Sequence, residues 1–437
     1  MKKNTIKLSE IIIILLFLCQ MTFSSRSIHD IQQSLFDIGN LIRIVVAPTC
    51  IILCLLYILK NGISFKQIPR NIIYIIIYWI IGAISFININ DKWFLYSLIK
   101  YIEYTVMIVV IIYYSTFLVK KDNAFEIIFT LSINFFEFLL VSVLIGLFIN
   151  PHKALFSETE FSELRNSVIP FVLRGHIITL SATMVGYISG ILLFFYTVDY
   201  IEKKNKNKYN LFKISVFFVC FLVAQSRMAW IAFTIAVIWY IFIIKKNNIL
   251  KIVCLNSIII TSILFREKIF RIILRGQSVQ SFTSVTGRSK WWQHAINTFT
   301  ETDLLRKLFG QGFASGEKIV VSQVSTVMGT MDSDYFGALT SVGIIGLIFM
   351  ILFIIMSFFM IFKSTKYIKR INNDETKNIL IKATGISIII LLSTFTVTSL
   401  GLLNYMLILL IVCSFTIEFL IRNINFKRSN NINNTDI

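Results

Sequence analysis

Continuous apolar runs, many of them as long as a bilayer is thick, recur along almost the whole chain, and short basic patches separate them. The hydrocarbon core of a membrane is about 30 Å thick, and about 20 apolar residues in a helix cross it. Phe125–Ile149 and the run from Phe336 to Phe362 meet that length. The runs do not alternate apolar with polar residues, which argues against a transmembrane barrel. Only 15% of the 437 residues are charged, against about 25% in soluble domains, and the mean hydropathy is +0.77. The fold class is therefore an all-α polytopic membrane protein, one integral membrane domain over 1–437 with little room for a soluble one.

The formal net charge is +19, and its placement decides what it means. Lys60, Lys66 and Arg70 form one patch, Lys120 and Lys121 another, and Lys203–Lys208 a third. Lys245 with Lys246, Lys363–Arg370, and Arg422 with Lys427 and Arg428 continue the series. Cytoplasmic loops carry such patches under the positive-inside rule, so the charge is topological and no nucleic-acid partner is expected. The six cysteines (Cys19, Cys50, Cys54, Cys220, Cys254, Cys413) lie inside apolar segments with no CxxC pair, and read as small buried hydrophobes. The four histidines are scattered and form no metal motif. No metal and no cofactor is expected.

Taken in order, the run after MKKNTIKLSE lacks a clean small-x-small cleavage site and reads as an uncleaved first helix. Further spans follow at about 42–59 (with Pro48 inside), 72–87, up to 118, 125–149 and 177–200. In the fourth span Lys100 and Glu103 are three apart on one helix face, and read as a pair near the outer interface. Residues 211–244 as one helix would be about 51 Å long, and would put Lys245 opposite Lys203–Lys208. Two short spans hinged at Gln225-Ser226-Arg227 keep both patches on one side and put Arg227 at the outer surface. Span nine is about Ile249–Phe265, span ten starts near Phe336, and a last hairpin over Asn378–Ile421 turns near Gly401–Asn404. The expectation is about 12 transmembrane helices with N- and C-termini cytoplasmic. Residues 150–176 make a smaller extracytoplasmic loop, 266–335 a large one containing short helices, and 423–437 a disordered cytoplasmic tail.

The large loop departs from the rest of the chain. It holds Arg266, Lys268, Arg271, Arg275, Arg288, Lys290, Arg306, Lys307 and Lys318 against six acids. Long loops translocate largely regardless of charge, so the topology survives; anionic head groups, or an anionic substrate held by arginine forks, are two reasons for the excess. Ser289–Phe299 reads as a short helix with Trp292, Ala295, Ile296 and Phe299 on one face. Such a helix either lies on the bilayer or offers aromatics to sugar rings. GQGFASG (Gly310–Gly316) is no dinucleotide fingerprint; Gly310 and Gly312 read as a turn allowing close backbone approach. Asp332 and Asp334 stand just outside span ten, where a carboxylate can cap the helix, remain solvated, or act as a general base on a hydroxyl.

Four segments in sequence, AQSRMAW (224–230), TGRSKWWQHAINTF (286–299), LFGQGFASG (308–316) and DSDYFGALTSVGIIGLI (332–348), resemble the O-antigen ligase/polymerase family in order, spacing and topology. The resemblance implies a membrane glycosyltransferase of the bacterial plasma (inner) membrane, multi-pass, with its active site on the extracytoplasmic (periplasmic) side and undecaprenyl-diphosphate-linked oligosaccharide as substrate. Ligases of the family typically carry a histidine before the G-I-I-G-L helix. Asp332-Ser333-Asp334 stands there instead, which favours a polysaccharide polymerase over a ligase acting on lipid A–core.

On that resemblance the acceptor hydroxyl attacks the donor's anomeric carbon and the lipid diphosphate leaves with inversion and without metal. Arg227 and Arg288, with Arg174 from the smaller loop, would bind the diphosphate, and Asp332 or Asp334 would position or deprotonate the acceptor. Trp291, Trp292, Gly310, Gly312 and Tyr335 would contact the glycan or support the loop. Membrane lipids and a chain-length regulator are candidate partners. The competing readings are the ligase, which shares fold and donor, and a polysaccharide flippase, against which the long outer loop speaks.

Overall fold

The computed structural model describes residues 2–21, 38–65, 67–89, 91–118, 124–156, 169–202, 208–245, 248–249, 251–252, 256, 288–324, 333–371, 373–395 and 400–433. These are helical nearly throughout. The chain opens with α1 (Lys2–Leu18), α2 (Ile38–Asn61), α3 (Arg70–Ile84), α4 (Asp91–Leu118) and α5 (Ala124–Ile149). A short α6 (Pro151–Ala154) and a two-residue antiparallel pair, β1 (Leu155–Phe156) with β2 (Val172–Leu173), follow. Then come α7 (Ala182–Glu202), α8 (Lys208–Val223) and α9 (Arg227–Ile238), which ends in a π-helical turn over Trp239–Ile244. The large loop supplies α10 (Arg288–Glu301), α11 (Leu304–Phe309) and α12 (Ser315–Val324). Three long helices close the chain: α13 (Asp334–Ile368), α14 (Asp374–Ser393) and α15 (Tyr405–Asn433).

Among the described residues, eight helices are long and apolar enough to cross a membrane, and Leu8–Leu18 and Val45–Asn61 are shorter apolar ones. Span nine falls almost wholly outside the described residues. Helix α15 runs on to Asn433, through the stretch expected to be a disordered tail; Tyr367 reaches it with a 3.0 Å bond to Asn425, and the helix simply propagates from the span. The described cysteines are all free and buried.

Helix α14 is the centre of the bundle, packed by α7, α9, α13 and α15. It is among the less apolar spans and yet one of the most buried, whereas α9 leaves most of its surface outward. Lipid is as apolar as leucine, so a span facing lipid needs no polar partner while one facing protein can use them. Lys382 of α14 accordingly pairs with Asp199 of α7, both buried, and Asn378 and Asn210 add bonds of 3.4 Å to the same carboxylate. On the other flank Asn71 of α3 donates to Ser357 and Ser414, each at 2.9 Å, tying α3, α13 and α15 together.

Side-chain contacts also sort the helix ends. Lys245 pairs with Glu202 at 2.9 Å, Trp239 donates to Thr365 at 3.1 Å, and Arg422 donates to Gln67. Glu202, Lys245, the 363–370 stretch and Arg422 therefore share one end of the bundle, here the basic end. That geometry is the expected hairpin: α8 ends at Val223, the chain reverses through Gln225 (φ +48°), and the Phe221 and Phe233 rings pack 5.1 Å apart across the turn. The loops 310–316 and 400–404 lie at the opposite end.

Candidate functional site

The loop end is built on a break in a helix. Span ten was expected to start near Phe336; α13 instead begins at Asp334, and Gly343 (φ +74°) splits it into Asp334–Val342 and a longer membrane helix. Gly343 needs this left-handed backbone because the carbonyl of Leu308, at the end of α11, comes so close that any Cβ would overlap it. Gly310 (φ +78°) presses in the same way on the Ser341 backbone, and Gly316 on that of Thr340. The Gln311 N–H donates to the Thr340 carbonyl at 3.0 Å, and Asn88 donates to the Gly310 carbonyl at 3.1 Å. The glycine run is thus a docking seam on the first segment of α13. Gly312 (φ +111°) closes the turn, with the Ser315 hydroxyl bonded to its carbonyl at 2.9 Å.

Between these glycines, Phe313 is fully buried in an aromatic cage. Its ring centroid lies 5.4 Å from Tyr104, 5.5 Å from Tyr101 and 6.2 Å from Tyr78. Ser97 donates to its carbonyl. The loop is plugged into α3 and α4, so the large loop has a fixed floor.

Asp334 sits beneath that plug, wholly buried at the first turn of α13. A carboxylate is favoured at a helix N-terminus. Its Oδ1 accepts the backbone N–H groups of Leu400 (2.9 Å) and Gly401 (2.8 Å). Tyr104 and Tyr78 donate to the carbonyls of the same two residues, at 3.4 and 3.3 Å. The space beside it, lined by Tyr78, Ala314, Ser341 and Gly401 among others, is about 10 Å³, room for one water at most. In this arrangement Asp334 holds the α14–α15 turn in place. Tyr335 bonds Thr394 at 3.2 Å and packs on Phe395, so it supports the same junction. Asp332 lies outside the described residues.

Arg227 is the first residue of α9, at the reversal. Gln225 clamps that reversal to the smaller outer loop through bonds to the carbonyls of Ile169 (2.9 Å) and Phe171 (2.7 Å). On that loop, Arg174 donates from Nε to the Lys153 carbonyl at 2.6 Å, and its backbone N–H bonds Ala154 at 2.9 Å. His176 follows; burial, then the charges of Lys153 and Arg174, hold its imidazole below the usual histidine value. Arg227 and Arg174 thus come from two segments that Gln225 ties together. Arg288 and Trp291 open α10, but their side chains lie outside the described residues.

Trp292 is half-buried. It stacks on Phe336 of α13 with centroids 5.4 Å apart. Ala295 is buried beside Val320 and Phe336, whereas Ile296, expected on the same face, is 45% exposed. Helix α10 packs on α12 and α13, and that contact uses Trp292 and Ala295. Along its far side His294, Asn297, Thr298, Glu301, Asp303 and Arg306 line an open polar cleft of about 500 Å³.

Sequence reasoning missed Tyr78, Tyr104 and Phe313, which carry no signal in an apolar run. It also missed Arg43. Glu103, read as the partner of Lys100 alone, is bonded by Lys100 at 2.8 Å and by Arg43 of α2 at 3.4 Å. An ionisable residue inside a span was the available clue.

A search for curated relatives finds no match to the chain. Residues 212–351 match the family model described as O-antigen ligase, a stretch running from α8 through Arg227 and the glycine seam into α13 beyond its break. Over residues 212–351 the chain is similar to the O-antigen ligase family, which supports the resemblance to O-antigen ligases and polymerases.

Proposed function

We propose that the protein is a polysaccharide polymerase that moves a growing glycan from undecaprenyl diphosphate to the next lipid-linked repeat unit at the extracytoplasmic face. The observation that carries the reading is the matched domain with Asp332-Ser333-Asp334 ahead of its Gly343 helix, where a ligase of the family would carry a histidine. The acceptor O–H attacks the anomeric carbon, the bond from that carbon to the diphosphate oxygen breaks, and the configuration inverts. The proton passes to a carboxylate and the negative charge to the lipid diphosphate, which arginine forks stabilise. Arg227, Arg174 and Arg288 are assigned to the diphosphate. Asp334, buried and with Oδ1 already accepting two N–H groups, is assigned to positioning. Asp332 is then the candidate base. The polar cleft beside α10, with amide, hydroxyl and carboxylate groups to meet sugar hydroxyls, is a suitable bed for the glycan.

The test is reconstitution of the purified chain with its native lipid-linked repeat unit. A ladder of lengthening products is expected. Transfer only to lipid A–core, with no ladder, would assign the chain as a ligase, the activity in the matched model's own description.

A further inference from the structure

The site above leaves one charged cluster unused. Arg43 of α2, Lys100 and Glu103 of α4, and Lys318 of α12 gather along α4. Tyr104, the neighbour of Glu103, bonds the Leu400 carbonyl, so the cluster is level with the turn that Asp334 holds. Lys318 Nζ stands 6.0 Å from the ring of Tyr96, which shares a helix face with Lys100 four residues on. Among the described residues, two cations therefore bond one carboxylate, and a third, Lys318, stands over the neighbouring turn of α4.

The side chains are largely removed from solvent: Arg43 is 14% exposed, Lys100 21% and Glu103 4%. A guanidinium has five N–H donors, yet among the described residues Arg43 makes a single bond, to Glu103 at the long distance of 3.4 Å. Its Nε is buried and has no partner among them. Unmet buried donors and uncompensated buried charge are both strongly unfavourable. One further anion between Arg43, Lys100 and Lys318 would satisfy both. At the rim of a helical bundle in a membrane, the available anion is a phosphate ester, whose geometry suits an arginine fork flanked by lysines.

We infer that Arg43, Lys100 and Lys318 form a second phosphate-ester site, separate from Arg227, Arg174 and Arg288, that binds the head group of a membrane lipid. Joining two lipid-linked molecules at one centre requires two phosphate-bearing chains to be held at once, and this cluster stands beside the turn that Asp334 holds. Binding here does not depend on whether the protein is a polymerase or a ligase, so the site stands or falls apart from the reading above.

The experiment uses the full chain in dodecylmaltoside, which contains no phosphate, with farnesyl diphosphate or phosphatidylglycerol as probe and native mass spectrometry as readout. Arg227→Ala/Arg288→Ala is the background, so that the remaining binding reports on the second site. In that background the probe is expected to bind, and adding Arg43→Gln with Lys318→Gln should weaken it by about tenfold or more, the loss of charge-assisted bonds. If Arg43→Gln does not fold, Arg43→Lys keeps the Glu103 pair and Lys318→Gln lies outside the spans; each alone should weaken binding severalfold. Preference for farnesyl diphosphate identifies a diphosphate lipid, and preference for phosphatidylglycerol a glycerophospholipid; both support the site. No binding in the background, or equal binding with and without the Arg43 and Lys318 changes, overturns it.

Discussion

Asp334 accepts the backbone N–H of Gly401 at 2.8 Å, across 67 residues of sequence, from a position with no exposed surface. The bond and its companion to Leu400 make a carboxylate the fixed point between α13 and the turn joining α14 to α15. Replacing Asp334 by Ala strands two buried donors, at about 1–3 kcal/mol each. Asp334→Asn keeps an acceptor oxygen and should lose roughly half as much. Thermal unfolding of the detergent-purified variants checks the order, and equal melting temperatures for Ala, Asn and wild type would remove the pin from the account.

Gly343 and Gly310 test the seam. Alanine at either is strained by its positive φ, at about 1–2 kcal/mol, and its Cβ overlaps the backbone of Leu308 or Ser341. The loop should lift from α13 and free the backbone of α11 around Arg306, already exposed, and Lys307 to enter a protease. Trypsin should then cut after these residues several times faster than in wild type, while cutting at the basic end stays unchanged.

Arg227→Ala and Arg288→Ala should abolish long-chain glycan in cells while leaving the amount of membrane-inserted protein unchanged. Normal chain length in both variants would sink the assignment of these arginines to the diphosphate.

His176 gives the pH dependence. Burial and the charges of Lys153 and Arg174 depress its folded-state pKa, so below about pH 6.5, the ordinary histidine value, the unfolded loop binds more protons than the folded one. Stability rises with pH wherever that holds. The contribution is therefore intact above the unfolded pKa and lost as pH falls through it towards the folded value. Protease resistance of the 169–181 loop should drop between pH 7.5 and pH 5, and His176→Gln should flatten the drop. Inorganic diphosphate held by Arg174 would offset those charges, raise the folded-state His176 pKa towards the ordinary value, and so shrink the drop.

Removing one member of the Lys382–Asp199 pair leaves the other buried and uncompensated, a loss of about 3–5 kcal/mol. Lys382→Met and Asp199→Leu singly should each lower the melting temperature sharply. Together they should come close to wild type, and a strictly additive double variant would show that the pair is not coupled.

Most of the spans were legible because membrane helices announce themselves by length and composition, and because basic patches mark one side. The reversal at Gln225 was legible for the same reason: only a hairpin puts Lys208 and Lys245 at one end. The glycine run could be read as a close approach, but not what it approaches, since the Ser341 and Leu308 backbones carry no side-chain signal. The break at Gly343 is hidden inside a G-I-I-G-L run that looks like uninterrupted helix. Arg43 was passed over because the apolar residues around it satisfied the span criterion by themselves. The Ile296 misplacement has a simple cause: periodicity gives a stripe, while the edge of that stripe depends on where Phe336 and Val320 lie.

The burial of Lys382 at the heart of the bundle also sets an order of events during synthesis. At a helix centre a lysine opposes lateral release from the translocon by about 2.5–3.5 kcal/mol; nearer the basic end Lys382 opposes it less, and Asp199 bears the complementary burden on a segment made nearly two hundred residues earlier. The earlier helix must wait, shielded, until the later one arrives to neutralise it. The last hairpin therefore acts as a keystone, and a ribosome that stops before Asp374 leaves behind a chain marked for membrane quality control by an uncompensated acid.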